Sequence, residues 1–201
     1  MKVAAVIPAY NEEERIGGVI EGAREYVDRV IVVDDGSTDL TAEVSEDAGA
    51  EVIGHGENRG YLTALKTGFE AVEEDIVVTL DGDGENDPAD IPQLLKPIEE
   101  DEADLVLGRR EKIPRISERF LTFLAGLHDS GTGFKAIRSE LAKALELPGV
   151  CPCGTFALEA NGLGVRIEEV PVRTRETGKE RKVSWKHFIQ FWFVLKALLI
   201  P

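Results

Sequence analysis

Apolar and polar positions alternate along the chain in blocks. Residues 3–7, 29–33 and 75–80 are short β-rich runs separated by stretches of helical character, the pattern of a parallel sheet built from βαβ units. Asn11 is placed to cap a helix whose first turn, Glu12-Glu13-Glu14, is acidic and so favoured by the helix dipole. Asp39 opens a second helix, and residues 60–74 form a third. A further strand is expected at 105–108, followed by a basic stretch to residue 119 and a helical run to 128. Residues 131–137 and 165–172 and an apolar run from 185 to 200 complete the chain, and residues 151–164 read as partly helical. No repeat, low-complexity tract or Gly/Ser/Pro linker interrupts it. Each early strand ends in a polar loop, and open α/β sheets bind ligands at the carboxyl ends of their strands.

The length of 201 residues suits one domain, and 43% hydrophobic with 30% charged residues argues against a chain made mostly of membrane spans. The net charge of −15 is unevenly spread. Residues 1–104 hold 7 basic and 28 acidic side chains, whereas residues 105–201 hold 16 basic and 10 acidic. That acidic front half excludes general nucleic-acid binding, which needs clustered Lys and Arg. The basic back half suits an anionic ligand or membrane surface, or is simply a solvated face. Cys151 and Cys153 are too few for a disulfide framework and too isolated for a zinc site. A reducing, cytoplasmic setting is expected, because the N-terminal apolar run reads as a buried strand and not a signal peptide.

Three strand ends carry chemistry. Asp81-Gly82-Asp83-Gly84-Glu85 brings three carboxylates into one loop, where repulsion is costly unless a cation holds them; a solvated acidic turn is the alternative. It is not an EF-hand loop, since its twelfth position is no glutamate. Val33-Asp34-Asp35-Gly36-Ser37 offers a carboxylate to a ribose or base edge, with Gly36 allowing a tight turn. Pro8-Ala9-Tyr10-Asn11-Glu12 presents an aromatic ring that either stacks on a nucleobase or is structural. No Gly-x-Gly-x-x-Gly follows the first strand, which disfavours a nicotinamide dehydrogenase.

In order, VIPAYNEEERI, VVDDGSTD, NRG, LDGDGENDPADIP, DLVLGRR and DSGTGFK resemble glycosyltransferase family 2, and specifically its polyprenyl-phosphate (dolichyl-phosphate mannose synthase-like) sugar transferases. The resemblance implies the GT-A fold: an α/β, Rossmann-like, mostly parallel sheet flanked by helices. It implies a catalytic domain over residues 1–184, with a nucleotide-sugar half (1–108) and an acceptor half (109–184), and an apolar helix over 185–201. Pro8, Tyr10, Glu12, Val33, Asp35 and Gly82 would hold the nucleotide of a GDP- or UDP-sugar. Asp81, Asp83 and Glu85 would hold Mg²⁺ or Mn²⁺, with Glu85 standing where the family usually has glutamine. Arg110 aligns with the family's arginine after the fifth strand, and Arg109 is an added cation. Arg175, with Arg181 and Lys182, resembles the basic loop of the lipid-phosphate subgroup.

The implied reaction is inverting transfer of a sugar to a polyprenyl phosphate, an ionised acceptor that needs cations more than a base. Asp83, Arg110 and Arg175 would carry it. Asp129 remains a base for a hydroxyl acceptor, which keeps a soluble or protein acceptor open; a binding module without turnover is the non-enzymatic alternative. The run 185–200 is short for a span and suits either a peripheral helix on the cytoplasmic membrane face or a helix packed within the fold.

Overall fold

The computed structural model describes residues 1–111, 119, 122–123, 126–152, 154–175 and 186–199. At its centre lies β1 (Val3–Ala9), buried along its whole length. Val3, Ala5, Ile7 and Ala9 enter one apolar cluster while Ala4 and Val6 enter another, because successive side chains leave opposite faces of a strand. Both faces are covered, so the strand reads as a continuous apolar run.

β1 pairs in parallel with β2 (Arg29–Asp34) and β4 (Ile76–Thr79), and β2 pairs with β3 (Glu51–Gly54). With β5 (Leu105–Arg110), β6 (Lys135–Arg138) and β7 (Ile167–Val172) the sheet order is β3-β2-β1-β4-β6-β5-β7. β6 runs antiparallel to both neighbours, and β5 pairs in parallel with β7. One face is covered by α1 (Ile16–Ala23), α2 (Thr41–Asp47) and α4 (Ile91–Glu99). The other carries α3 (Tyr61–Ala71), α5 (Ser139–Ala144) and α6 (Thr155–Gly162). The expected α/β, mostly parallel architecture is present, and the strands read at 3–7, 29–33, 75–80 and 105–108 correspond to β1, β2, β4 and β5 to within two residues.

The helix expected from Asn11 starts later, at Ile16. Asn11 adopts a left-handed conformation (φ 54°), and its Oδ1 accepts from the Thr38 amide at 2.9 Å. Its own amide donates to Ser37 Oγ, and the Glu12 amide donates to Thr41 Oγ1 at 2.8 Å. The side chain expected to cap a helix thus ties the first strand-end loop to the second. Asp39 does introduce α2, its carboxylate accepting from the Thr41 amide at 3.1 Å.

α7 (Lys186–Leu199) lies in the C-terminal apolar run. Gln190 is buried: its Oε1 accepts from the Val150 amide at 3.0 Å and its Nε2 donates to Thr155 Oγ1 at 2.8 Å. Val194 packs with Cys151, Leu158 and Phe191, while Ile189 and Trp192 face solvent. Among the described residues no helix is long and apolar enough to cross a membrane.

Candidate active site

The carboxyl ends of β1, β2 and β4 open onto one cleft of about 310 Å³, lined by Pro8, Tyr10, Glu12, Asp35, Asp81, Gly82 and Asp83 among others. Residues singled out from three separate strand ends therefore share one wall-and-floor arrangement. Tyr10 is 45% exposed, an open aromatic face at the rim. Gly36 makes the second strand-end turn at φ 75°, and a Cβ there would stand 2.5 Å from the Glu57 carbonyl carbon and 2.8 Å from the Asn58 nitrogen. Only glycine satisfies both that angle and that approach.

Asp35 organises the cleft's far wall. Its Oδ1 accepts from His55 Nδ1 at 2.8 Å and from the Arg59 amide at 2.9 Å, and its Oδ2 from the Gly60 amide at 2.7 Å. Asn58, Gly60, Tyr61 and Ala64 line that wall, and the sequence pattern gave none of them a role. Asn58-Arg59-Gly60, the NRG motif, follows the end of β3, a strand absent from the expected set, so the motif was seen without its place in the cleft.

Asp81 is enclosed on the floor. Burial, and then the charge of Asp83, push its carboxyl up to about 6, while the charge of Lys135, a hydrogen bond from Tyr61 and the charge of Arg110 pull the other way. Lys135 is itself buried; its Nζ donates to the Thr132 carbonyl and sits 5.0 Å above the Phe156 ring. Gly133 abuts Asp81 so closely that no β-carbon fits between them.

Two adjacent carboxylates, one desolvated and both repelled by the other, form an oxygen donor set that suits a hard divalent cation. Glu85 does not complete a trio. Among the described residues no three His, Cys, Asp or Glu side chains converge as a metal site, and the Glu85 amide donates to Asp83 Oδ1 at 3.1 Å.

Val33 does not reach the cleft. It is fully buried inside β2 and its side chain packs with the cluster under α3, whereas Asp35, past the end of the strand, lines the cleft.

Arg110, at the end of β5, is gripped by Asp129 through Nε at 2.6 Å and Nη2 at 2.8 Å, a bidentate pair. The Arg110 amide and the Gly131 amide also donate to this carboxylate, at 3.2 and 3.3 Å. Glu169 on β7 in turn accepts from the Asp129 amide at 2.8 Å. Arg175 lies outside the cleft lining: its Nη2 meets Asp87 Oδ1 at 2.7 Å and its amide donates to the Glu85 carbonyl at 2.8 Å. It is thereby tied to the loop that carries Asp83. Arg181 and Lys182 lie outside the described residues.

Comparison with known proteins agrees with this geometry. Residues 4–158 match the family described as Glycosyl transferase family 2. A UDP-N-acetylglucosamine–dolichyl-phosphate N-acetylglucosaminyltransferase of Methanococcus voltae is 30% identical over 210 residues, covering 84% of this chain and 84% of its own. Dodecaprenyl-phosphate galacturonate synthase of Rhizobium johnstonii is 30% identical over 173 residues, 74% of this chain but 51% of that longer protein. Glucosyl-3-phosphoglycerate synthase from Mycobacterium tuberculosis, solved with phosphoglyceric acid, superposes with a TM-score of 0.86 at 25% identity, covering 100% of this chain and 81% of that one. The same enzyme with Mn²⁺ and UDP-glucose gives 0.80 at 25% identity, covering 100% and 80%. The cleft, its paired aspartates and the sheet order join these likenesses: the chain belongs to glycosyl transferase family 2 and is a nucleotide-sugar transferase of the GT-A fold.

Proposed function

We propose that the chain transfers a sugar from a UDP-sugar to a polyprenyl phosphate. The observation that carries this reading is the state of Asp129. A hydroxyl acceptor must lose a proton as it attacks, and the enzyme then needs a free base within reach. Asp129, the second-half carboxylate proposed for that task, has no exposed surface and takes four donors, three of them from Arg110. It holds a cation in place and has no lone pair to offer. A phosphate acceptor arrives ionised, and the half-buried end of β5 presents it with a fixed guanidinium instead.

In this reading Pro8, Tyr10, Glu12, Asp35 and Gly82 surround the nucleotide, and Arg110 steadies anionic oxygens. The acceptor phosphate oxygen bonds to the anomeric carbon on the face opposite the diphosphate as the sugar–phosphate bond breaks and UDP leaves, inverting the centre. Asp81 and Asp83 would hold Mg²⁺ or Mn²⁺, which would neutralise charge on the diphosphate leaving group. Arg175 stands beside the Asp83 loop, placed to meet either phosphate. The named relatives use UDP-N-acetylglucosamine with dolichyl phosphate and a dodecaprenyl phosphate, and the solved neighbour binds Mn²⁺ and UDP-glucose. The face of α7 bearing Ile189 and Trp192 would rest on the membrane that holds such an acceptor.

The glucosyl-3-phosphoglycerate synthase superposition favours a second reading, a small phosphorylated hydroxy acid as acceptor. Incubation of labelled UDP-glucose and UDP-N-acetylglucosamine with Mn²⁺ and either polyprenyl phosphate or 3-phosphoglycerate separates the two. Label extracted into the organic phase is expected. Label transferred only to the water-soluble acceptor would replace the first reading with the second.

A further inference from the structure

The carboxyl end of β3 puts a histidine behind the cleft. His55 is 9% exposed, with Nδ1 2.8 Å from Asp35 Oδ1 and Nε2 3.0 Å from Thr67 Oγ1 on α3. An ionised carboxylate only accepts, so Nδ1 carries the hydrogen in this contact. Thr67 holds the far side of the ring and so fixes its plane.

A carboxylate offers about four acceptor positions. On Asp35, Oδ1 is filled by His55 and the Arg59 amide, and Oδ2 takes the Gly60 amide. One position is left, on Oδ2, in a residue that lines the cleft beside Tyr10 and Asn58. We infer that His55 sets the base specificity of the donor site, by leaving Asp35 a single acceptor that suits the lone N3–H of uracil and rejects guanine.

Guanine presents N1–H and N2–H side by side and asks for both carboxylate oxygens. Here one of those donors would be desolvated without a partner, a larger penalty than the loss of a contact. The inference rests on the nucleotide-sugar reading and deepens it, but does not depend on the acceptor.

Calorimetry of the intact chain with Mn²⁺ and either UDP or GDP, without acceptor, tests it. The natural protein is expected to bind UDP at least about tenfold more tightly than GDP. His55→Phe, which keeps a buried ring but no donor, and His55→Ala should each lower that ratio by about tenfold. His55→Asn, whose amide can still donate to Asp35, should keep it. Circular dichroism identifies any variant that fails to fold, and the asparagine variant and the natural protein then carry the comparison. A natural protein that binds GDP as well as UDP, or binds neither, overturns the inference. So does a folded His55→Phe or His55→Ala with an unchanged ratio, or a folded His55→Asn that has lost it. Transfer to a hydroxyl acceptor with the UDP preference intact would sink the polyprenyl-phosphate reading alone.

Discussion

Gly133→Ala isolates the steric demand of the cleft floor. Gly133 does not use a positive φ, so alanine is permitted by its backbone, and the whole effect comes from the added carbon. That carbon would meet Asp81 Oδ1, Oδ2 and Cγ, all closer than 3.0 Å. The Gly133 peptide cannot retreat, because its carbonyl accepts from the buried Thr79 hydroxyl at 2.6 Å. Asp81 must therefore withdraw by about 1 Å to regain ordinary contact, whereas metal–ligand distances tolerate about 0.2 Å. Overpacking of this kind costs about 1–3 kcal/mol of stability. Mn²⁺-dependent UDP affinity should fall about 10–100-fold, the scale of losing a well-placed metal ligand. Gly162→Ala is the control, since nothing stands within 4 Å of its new carbon, and it should shift stability by no more than about 1 kcal/mol. Urea unfolding and Mn²⁺/UDP calorimetry on both variants decide the matter. Unchanged Mn²⁺-dependent affinity in Gly133→Ala would refute the close seating of Asp81.

Three further outcomes follow from the same geometry. In EDTA, the raised Asp81 carboxyl favours the folded state below about pH 4, the ordinary carboxylate range, and this contribution is lost as pH rises towards 6. Urea melts should show a decline of at most roughly 3 kcal/mol, flattened in Asp81→Asn. Asp129→Asn should cut turnover about 100-fold with UDP affinity nearly unchanged and the pH–rate profile unshifted, whereas loss of an acidic limb in that profile would reinstate Asp129 as a base. Hydrogen bonding to Arg166, opposed by burial and aided by Arg138, holds the Asp104 carboxyl far below its ordinary range. Its stabilisation is present above about pH 4 and lost as pH falls, so Asp104→Asn should cost about 1 kcal/mol near neutrality after solvent screening, with less effect in high salt.

What was legible in the sequence was whatever a strand announces locally. β1, β2 and β4 are apolar runs that end in polar residues, so the rule that ligands gather at carboxyl strand ends is enough to place Pro8, Tyr10, Glu12, Asp35, Asp81 and Asp83 in one crevice. Val33 was misplaced by treating a motif as a block: it lies inside β2 and is buried under α3, and only Asp35, past the strand end, reaches the cleft. β3 escaped because four half-exposed residues at a sheet edge carry little pattern, and His55 escaped with it. α4 escaped because Pro92 and Pro97 look like breakers, although a proline in the first turn costs a helix nothing.

The relation between Asp81 and the second half of the chain was illegible for a different reason, namely strand direction. Nothing local distinguishes an antiparallel β6 from a parallel one, yet its direction decides which residues meet the metal loop. β6 pairs with β4 so that Ile76 faces Arg138 and Thr79 faces Lys135. Continuing that antiparallel register two residues past β4 brings Asp81 opposite Gly133, the contact that leaves no room for a side chain. A parallel β6 would have sent this segment towards the amino end of β4, far from the cleft. The reversed strand thus carries Gly133 and Lys135 from the second half of the chain to the floor of a site whose other residues come from the first half. It also explains why a lysine can be buried there: its charge faces the desolvated Asp81.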